Sequence, residues 1–112
     1  TVPLVEGLTQ ALSGFENHGG GTVLGPDAAP LGRVVSGVGN GTPQGRQPAD
    51  VAYDGAVQGS IIATYMHGPA LARNPELADL LLTRATGMAL EPLEVPGVAE
   101  LRAQRLSGVQ LP

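Results

Sequence analysis

Tyr65-Met66-His67-Gly68-Pro69 follows an apolar run and precedes a strongly signalled helix start, which sets an imidazole where a strand gives way to a loop. A histidine titrates near neutral pH, so at such a point it can take a proton from a nucleophile and later return one to a leaving group. The 112 residues contain no cysteine, the nucleophile that such a base would normally activate. A base without its nucleophile reads as half of an enzyme. On position alone the plainer reading stands ahead: a strand-end histidine satisfied by backbone hydrogen bonds.

A second candidate is Gly14-Phe15-Glu16-Asn17-His18-Gly19-Gly20. His18 lies in a glycine-flanked turn, where its ring can bond the backbone and hold the loop in shape. Gly19 and Gly20 permit close backbone approach, which lets successive amides face a carboxylate or carbonyl. Asn17 and Glu16 read equally as loop-fixing or as binding residues. Arg33 and Arg73 could meet an acidic partner, but a lone arginine near a turn is more often solvated. Asp54-Gly55 reads as a turn before a strand and receives no catalytic role.

These residues need elements to position them. Ala11 to His18, followed by three glycines and Thr22-Val23-Leu24, predicts two short strands or one with a glycine bulge. Leu31 to Val38 is β-branched and ends in Gly39-Asn40-Gly41, where Asn and Gly tolerate positive φ, predicting a third strand. Thr42 to Asp50, with two prolines and almost no apolar residue, reads as a surface loop. Ser60 to Tyr65 suits a buried strand with His67 just past its carboxyl end, the place where ligand sites gather in open α/β sheets. Asn74-Pro75-Glu76 then opens a helix, with Asn accepting from orphan amides, Leu77, Ala78, Leu80, Leu81 and Ala85 forming its apolar face, and Gly87 ending it. A further helix is expected from about Val98 to Leu106, with Val98, Leu101 and Leu106 on one side and Glu100 and Arg102 to Arg105 on its solvated face.

Composition narrows the function classes. A 42% hydrophobic chain with 17 glycines and 10 prolines is a single loop-rich domain or part of one. A net charge of -4, with the cations dispersed, offers nothing to nucleic-acid phosphates. Without cysteine, and with two distant histidines lacking clustered carboxylates, no metal site or disulfide is expected. No apolar run approaches the roughly 18 residues of a membrane span, so no membrane span is expected and a cytoplasmic location is. Neither GxGxxG nor GxxxxGK[ST] occurs, so ATP is expected to bind elsewhere and no cofactor is assigned here. The opening at Thr1 without Met suggests processing or truncation upstream.

The segment GFENHGG and the segment ending in Thr-Tyr-Met-His-Gly-Pro, joined through Leu-Gly-Arg-Val and Asp-Gly-Ala-Val, resemble the class I glutamine amidotransferases of the cobyric-acid-synthase-like branch. Within that branch the chain is most similar to the glutamine amidotransferase subunits of lipid II isoglutaminyl synthases. The resemblance runs from about Ser13 to Leu106. It implies an α/β fold: residues 1–112 as the C-terminal half of a flavodoxin-like domain, strand-rich in the first two thirds and followed by two helices, with the nucleophile half absent. It implies His67 as the acid/base of a glutaminase, with the loop Asn17, His18, Gly19 and Gly20 contacting L-glutamine largely through main-chain groups. The chain alone is then expected to be inactive. The implied partners are the missing N-terminal half, and an ATP-dependent Mur-ligase-like subunit in a heterodimer that uses the ammonia to amidate D-glutamate in lipid II for peptidoglycan synthesis. Amidation in corrin a,c-diamide synthesis, or a non-catalytic binding module, are the alternatives. Two departures stand out. Pro69 occupies the position where many class I enzymes carry the glutamate that orients the histidine, so an orienting acid is expected from a partner subunit or another segment. Gly21 stands where some relatives have a basic residue.

Overall fold

A computed structural model describes residues 1–41 and 51–112; the loop expected over Thr42 to Asp50 lies outside the described residues. Strands come first and helices last, as the pattern predicts, but the strands are only two or three residues long. β1 (Val2–Pro3), β2 (Gly32–Arg33) and β3 (Tyr53–Asp54) form one sheet in that order, and β4 (Ala56–Gln58) pairs with β5 (Ile61–Ala63) in another. Every pair is antiparallel. Among the described residues the body is therefore a small mixed α and β structure without parallel pairing. The local cause is plain for β4 and β5: the two-residue link Gly59-Ser60, with Gly59 at φ +58°, can join only antiparallel neighbours.

The expected strands over Ala11–His18 and Thr22–Leu24 do not form; Phe15 makes an isolated antiparallel bridge with His67. Leu31–Val38 contracts to Gly32–Arg33. The run Ser60–Tyr65 is an edge hairpin strand instead of a buried one, with Ile62 turned inward and Ile61 64% exposed. In the 39–41 turn Gly39 and Gly41 take positive φ, but Asn40 does not; its side chain is buried instead.

The helices follow their end signals closely. A single turn, α1 (Ala70–Arg73), precedes α2 (Pro75–Thr86), which has Pro at its first position and ends at Gly87 with φ +70°. Asn74 does not cap α2 with its side chain; that amide is spent on Ser13 and Ala70. α3 covers Val98–Leu106 and starts after Gly97 at φ +85°. Its inward face differs from the expectation: Leu101 is 49% exposed, while Arg102 is partly buried and donates to the carbonyls of Arg73 and Ala11.

The core is Leu8, Leu12, Leu31, Met66 and Leu77, with Val5, Val57, Ile62, Leu80 and Leu81 packed against it. Ala85, expected on that face, is exposed. Met66 places the core directly beneath the segment that carries His67. A Leu77→Ala change at this 2% exposed site removes a side chain of the kind whose loss costs about 2–5 kcal/mol.

Candidate active site

The site is built where two loops are stitched together. His67 N–H donates to the Phe15 carbonyl at 2.7 Å, so the GFENHGG segment runs antiparallel to Met66-His67. Gly14 is what allows this approach: a Cβ there would overlap Met66 Cβ and stand 2.5 Å from Met66 Cγ. The two candidate segments are thus brought together by a direct backbone contact.

The His67 ring is exposed, and its Nδ1 donates to the Tyr65 carbonyl at 2.6 Å. A carbonyl only accepts, so this contact puts the ring proton on Nδ1 and leaves the lone pair on Nε2. In this tautomer the imidazole is set up to receive a proton at Nε2.

Tyr65 also anchors the glycine loop. Its ring stacks on His18 with centroids 3.8 Å apart and 14° between planes. The Tyr65 hydroxyl shares a hydrogen bond with Thr22 Oγ1 at 3.0 Å, and His18 Nδ1 bonds the Gly20 carbonyl at 2.8 Å. The loop is therefore gripped at both ends by the residue two positions before His67. His18 Nε2 is buried, with no hydrogen-bond partner and the Glu16 carboxylate 3.9 Å away.

Glu16 serves the neighbouring turn, accepting from the Val38 and Gly39 amides, the first at 2.8 Å. Asn17, Gly19 and Gly20 are exposed. Neither glycine has positive φ, and a Cβ on Gly19 would meet nothing within 4 Å. Packing within the protein therefore does not require glycine at position 19, and the open side of that backbone faces outward. Beside the loop a shallow depression of about 180 Å³ is lined by Thr22, Asn40, Gly55, Ala63 and Tyr65; His67 lies outside it. Arg73, read as solvated, is partly buried with its Nε unpartnered.

Three residues of this neighbourhood escaped the sequence reading. Asn40 grips Gly55 by both backbone groups, at 2.9 Å to its carbonyl and 2.8 Å from its amide, while the Asn40 carbonyl accepts from Thr22 N–H. Asn74 does the same to Ser13 across 61 positions. Asp54, 2% exposed, accepts from Thr64 and Tyr65. Asn40 and Asp54 look like turn residues in sequence, and only their buried partners reveal the difference. Among the described residues no three His, Asp or Glu side chains gather as a metal site, and no helix is long and apolar enough to cross a membrane.

Comparison with known proteins places these features in a family context. Residues 3–75 match the CobB/CobQ-like glutamine amidotransferase domain. The chain is 36% identical over 96 residues to the lipid II isoglutaminyl synthase (glutamine-hydrolyzing) subunit GatD of Staphylococcus aureus, covering 83% of this chain and 36% of that protein. It is 32% identical over 103 residues to the subunit of the same name from Streptococcus pneumoniae, covering 91% and 37%. A probable cobyric acid synthase of Methanothermobacter thermautotrophicus is 44% identical over 59 residues, 53% of this chain and 10% of that one. The chain thus spans a little over a third of the length of the two GatD subunits. No solved structure gives a significant match.

Proposed function

The chain belongs to the CobB/CobQ-like glutamine amidotransferase domain family, and from that premise we propose that it is the base-bearing part of a glutaminase subunit that releases ammonia from L-glutamine. One observation carries the reading: an exposed imidazole whose Nδ1 is tied to the carbonyl of Tyr65, the residue whose ring stacks on the glycine loop, leaving Nε2 as proton acceptor. The similarity to two glutamine-hydrolysing subunits supports the choice of substrate.

In this mechanism a cysteine from outside these 112 residues supplies the nucleophile. His67 Nε2 takes the thiol proton, and the thiolate sulfur bonds to the glutamine side-chain carbonyl carbon. As the carbon–nitrogen bond breaks, the imidazolium returns that proton to the departing ammonia. His67 then accepts a proton from a water that attacks the thioester; glutamate leaves and the thiol is restored. The loop Asn17-His18-Gly19-Gly20 holds the substrate mainly through the Gly19 and Gly20 amides, with Asn17 at the exposed rim and His18 setting the loop shape. By itself the chain is inactive. The ammonia passes to an ATP-dependent Mur-ligase-like subunit in a cytoplasmic heterodimer that amidates D-glutamate in lipid II. The shorter similarity to a probable cobyric acid synthase favours corrin side chains as the second acceptor to test.

The experiment is glutamate and ammonia release by the full-length protein with its partner. His67→Ala is expected to lower kcat by about 100-fold or more. An unchanged rate would reject His67 as the base, and the absence of glutaminase activity in every combination would leave a non-catalytic module. Supplying lipid II and a corrin acid in parallel assigns the acceptor.

A further inference from the structure

The geometry points to Asp54 as the positioning acid of this site: its buried carboxylate holds the Thr64–Met66 turn so that the Tyr65 carbonyl meets His67 Nδ1 and selects the tautomer with a free Nε2. The inference rests on the role proposed for His67 and adds the residue that keeps that role available.

The turn leading to His67 presents three donors: the Asp54 carboxylate takes two of them, and the Thr64 hydroxyl it holds takes the third. Asp54 Oδ2 accepts from the Thr64 hydroxyl, and Oδ1 accepts from Tyr65 N–H at 3.3 Å. The Thr64 oxygen in turn accepts from Met66 N–H at 3.0 Å. With its own proton given to Asp54, that hydroxyl can only accept from Met66. The amides of residues 65 and 66 are thereby fixed, and with them the direction of the intervening Tyr65 carbonyl, which receives His67 Nδ1–H at 2.6 Å. The His67 amide is held from the other side by Phe15.

The placement of Asp54 is equally constrained. It sits in β3 opposite Gly32, and the next residue, Gly55, is clasped by Asn40 at both backbone groups. A Cβ on Gly55 would overlap the Ala63 carbonyl and stand 2.7 Å from Leu31 Cβ, so this glycine is required for Asp54 to lie against the 64–66 turn. Burying a carboxylate is costly unless donors satisfy it, and among the described residues its two donors belong to the turn carrying the base. Asparagine, nearly the same shape, cannot replace it. Its amide nitrogen either opposes Tyr65 N–H or displaces the Thr64 proton, and either choice breaks the set.

In the class I pattern an acid touches the histidine directly; here Pro69 stands at that position. Asp54 reaches the same end through one main-chain carbonyl, which no side-chain substitution at residue 65 removes. The acid is therefore the accessible point of attack.

The test uses the full-length glutaminase complex with ¹⁵N-labelled histidine, the His67 signal being assigned by its loss in His67→Gln. Asp54→Asn is expected to lower kcat by about tenfold or more while the glutamine KM stays within about twofold. The imidazole ¹⁵N shifts should move from a protonated Nδ1 toward a mixture of tautomers. Thr64→Val should change both in the same direction and Thr64→Ser should restore them, which keeps the inference testable if Asp54→Asn does not fold. Wild-type tautomer shifts in folded Asp54→Asn or Thr64→Val would overturn it, as would a loss of rate matching only the loss of folded protein. The spectrum reads Asp54 even if no variant or parent hydrolyses glutamine, so failure of the glutaminase reading would be seen separately.

Discussion

The ground beneath His67 and the layer formed by residues 87–112 are held by different means. Beneath His67, three buried polar side chains, Asp54, Asn40 and Asn74, each bind a backbone group far along the chain, 11, 15 and 61 positions away. They do what long β-ladders do elsewhere, and strands of two or three residues suffice because side-chain amides and a carboxylate complete the pairing. The C-terminal layer has no buried residue in α3, and Met88, Leu93 and Val95 stand 61%, 81% and 52% exposed. Its polar tie is Arg102, which reaches the carbonyls of Arg73 and Ala11. Beneath His67 the chain uses buried directional bonds; in the C-terminal layer it uses one arginine bonded to two carbonyls and partial apolar contact.

The contrast can be broken most directly at Asn74. Asn74→Ala deletes three bonds of 2.7–2.8 Å at a site 1% exposed, leaving Ser13 N–H, Ser13 C=O and Ala70 C=O without those partners. A loss of about 3 kcal/mol or more is expected in urea unfolding. Arg102→Ala should cost only about 1 kcal/mol, because the two carbonyls it leaves can be hydrated. Amide exchange should then quicken in α3 and stay slow in α2. Equal costs for the two substitutions would erase the distinction.

A smaller effect, with a sign fixed by charge, comes from Glu76 at the start of α2. Burial raises its carboxyl pKa, but bonds from Gln10 N–H, the Thr9 hydroxyl and Thr9 N–H, with the Arg102 charge, outweigh this and hold it below the ordinary 4.5. A carboxyl depressed in the folded state stabilises fully above its ordinary value and loses that contribution as pH falls through the depressed one. Stability followed by acid titration should therefore fall less steeply below pH 4.5 in Glu76→Gln than in the parent.

The two longer helices were legible because their signals are local: Pro75 and Gly87 bound α2 through the residues beside them, and Val98 and Leu106 bound α3 as the apolar spacing predicts, whereas the single turn α1 carried no such signal. The strands were not legible, since two or three residues carry no period, and the apparent strand at Ala11–His18 gives its backbone to a bridge and a side-chain clip instead. The two candidate segments were legible as motifs, and the structure joins them at Phe15 and His67. Their supports were not: Asp54 and Gly55 read as a turn, Asn40 as a residue tolerant of positive φ, and Arg102 as solvated. Their hydrogen-bond partners lie 10 to 91 positions away and are set by the tertiary fold, with no local pattern that names them.

The close passage of Gly14 over Met66 also limits how this site can drift. The overlap involves Met66 Cβ, an atom every residue but glycine carries, so trimming Met66 to a smaller side chain opens no room for a methyl group at position 14. Even glycine at 66 would leave its Cα 3.1 Å from the added carbon. The two positions therefore form a lock with few second keys: a side chain at position 14 requires glycine at 66 together with a small backbone shift, or a displacement of the segment that brings Phe15 to His67.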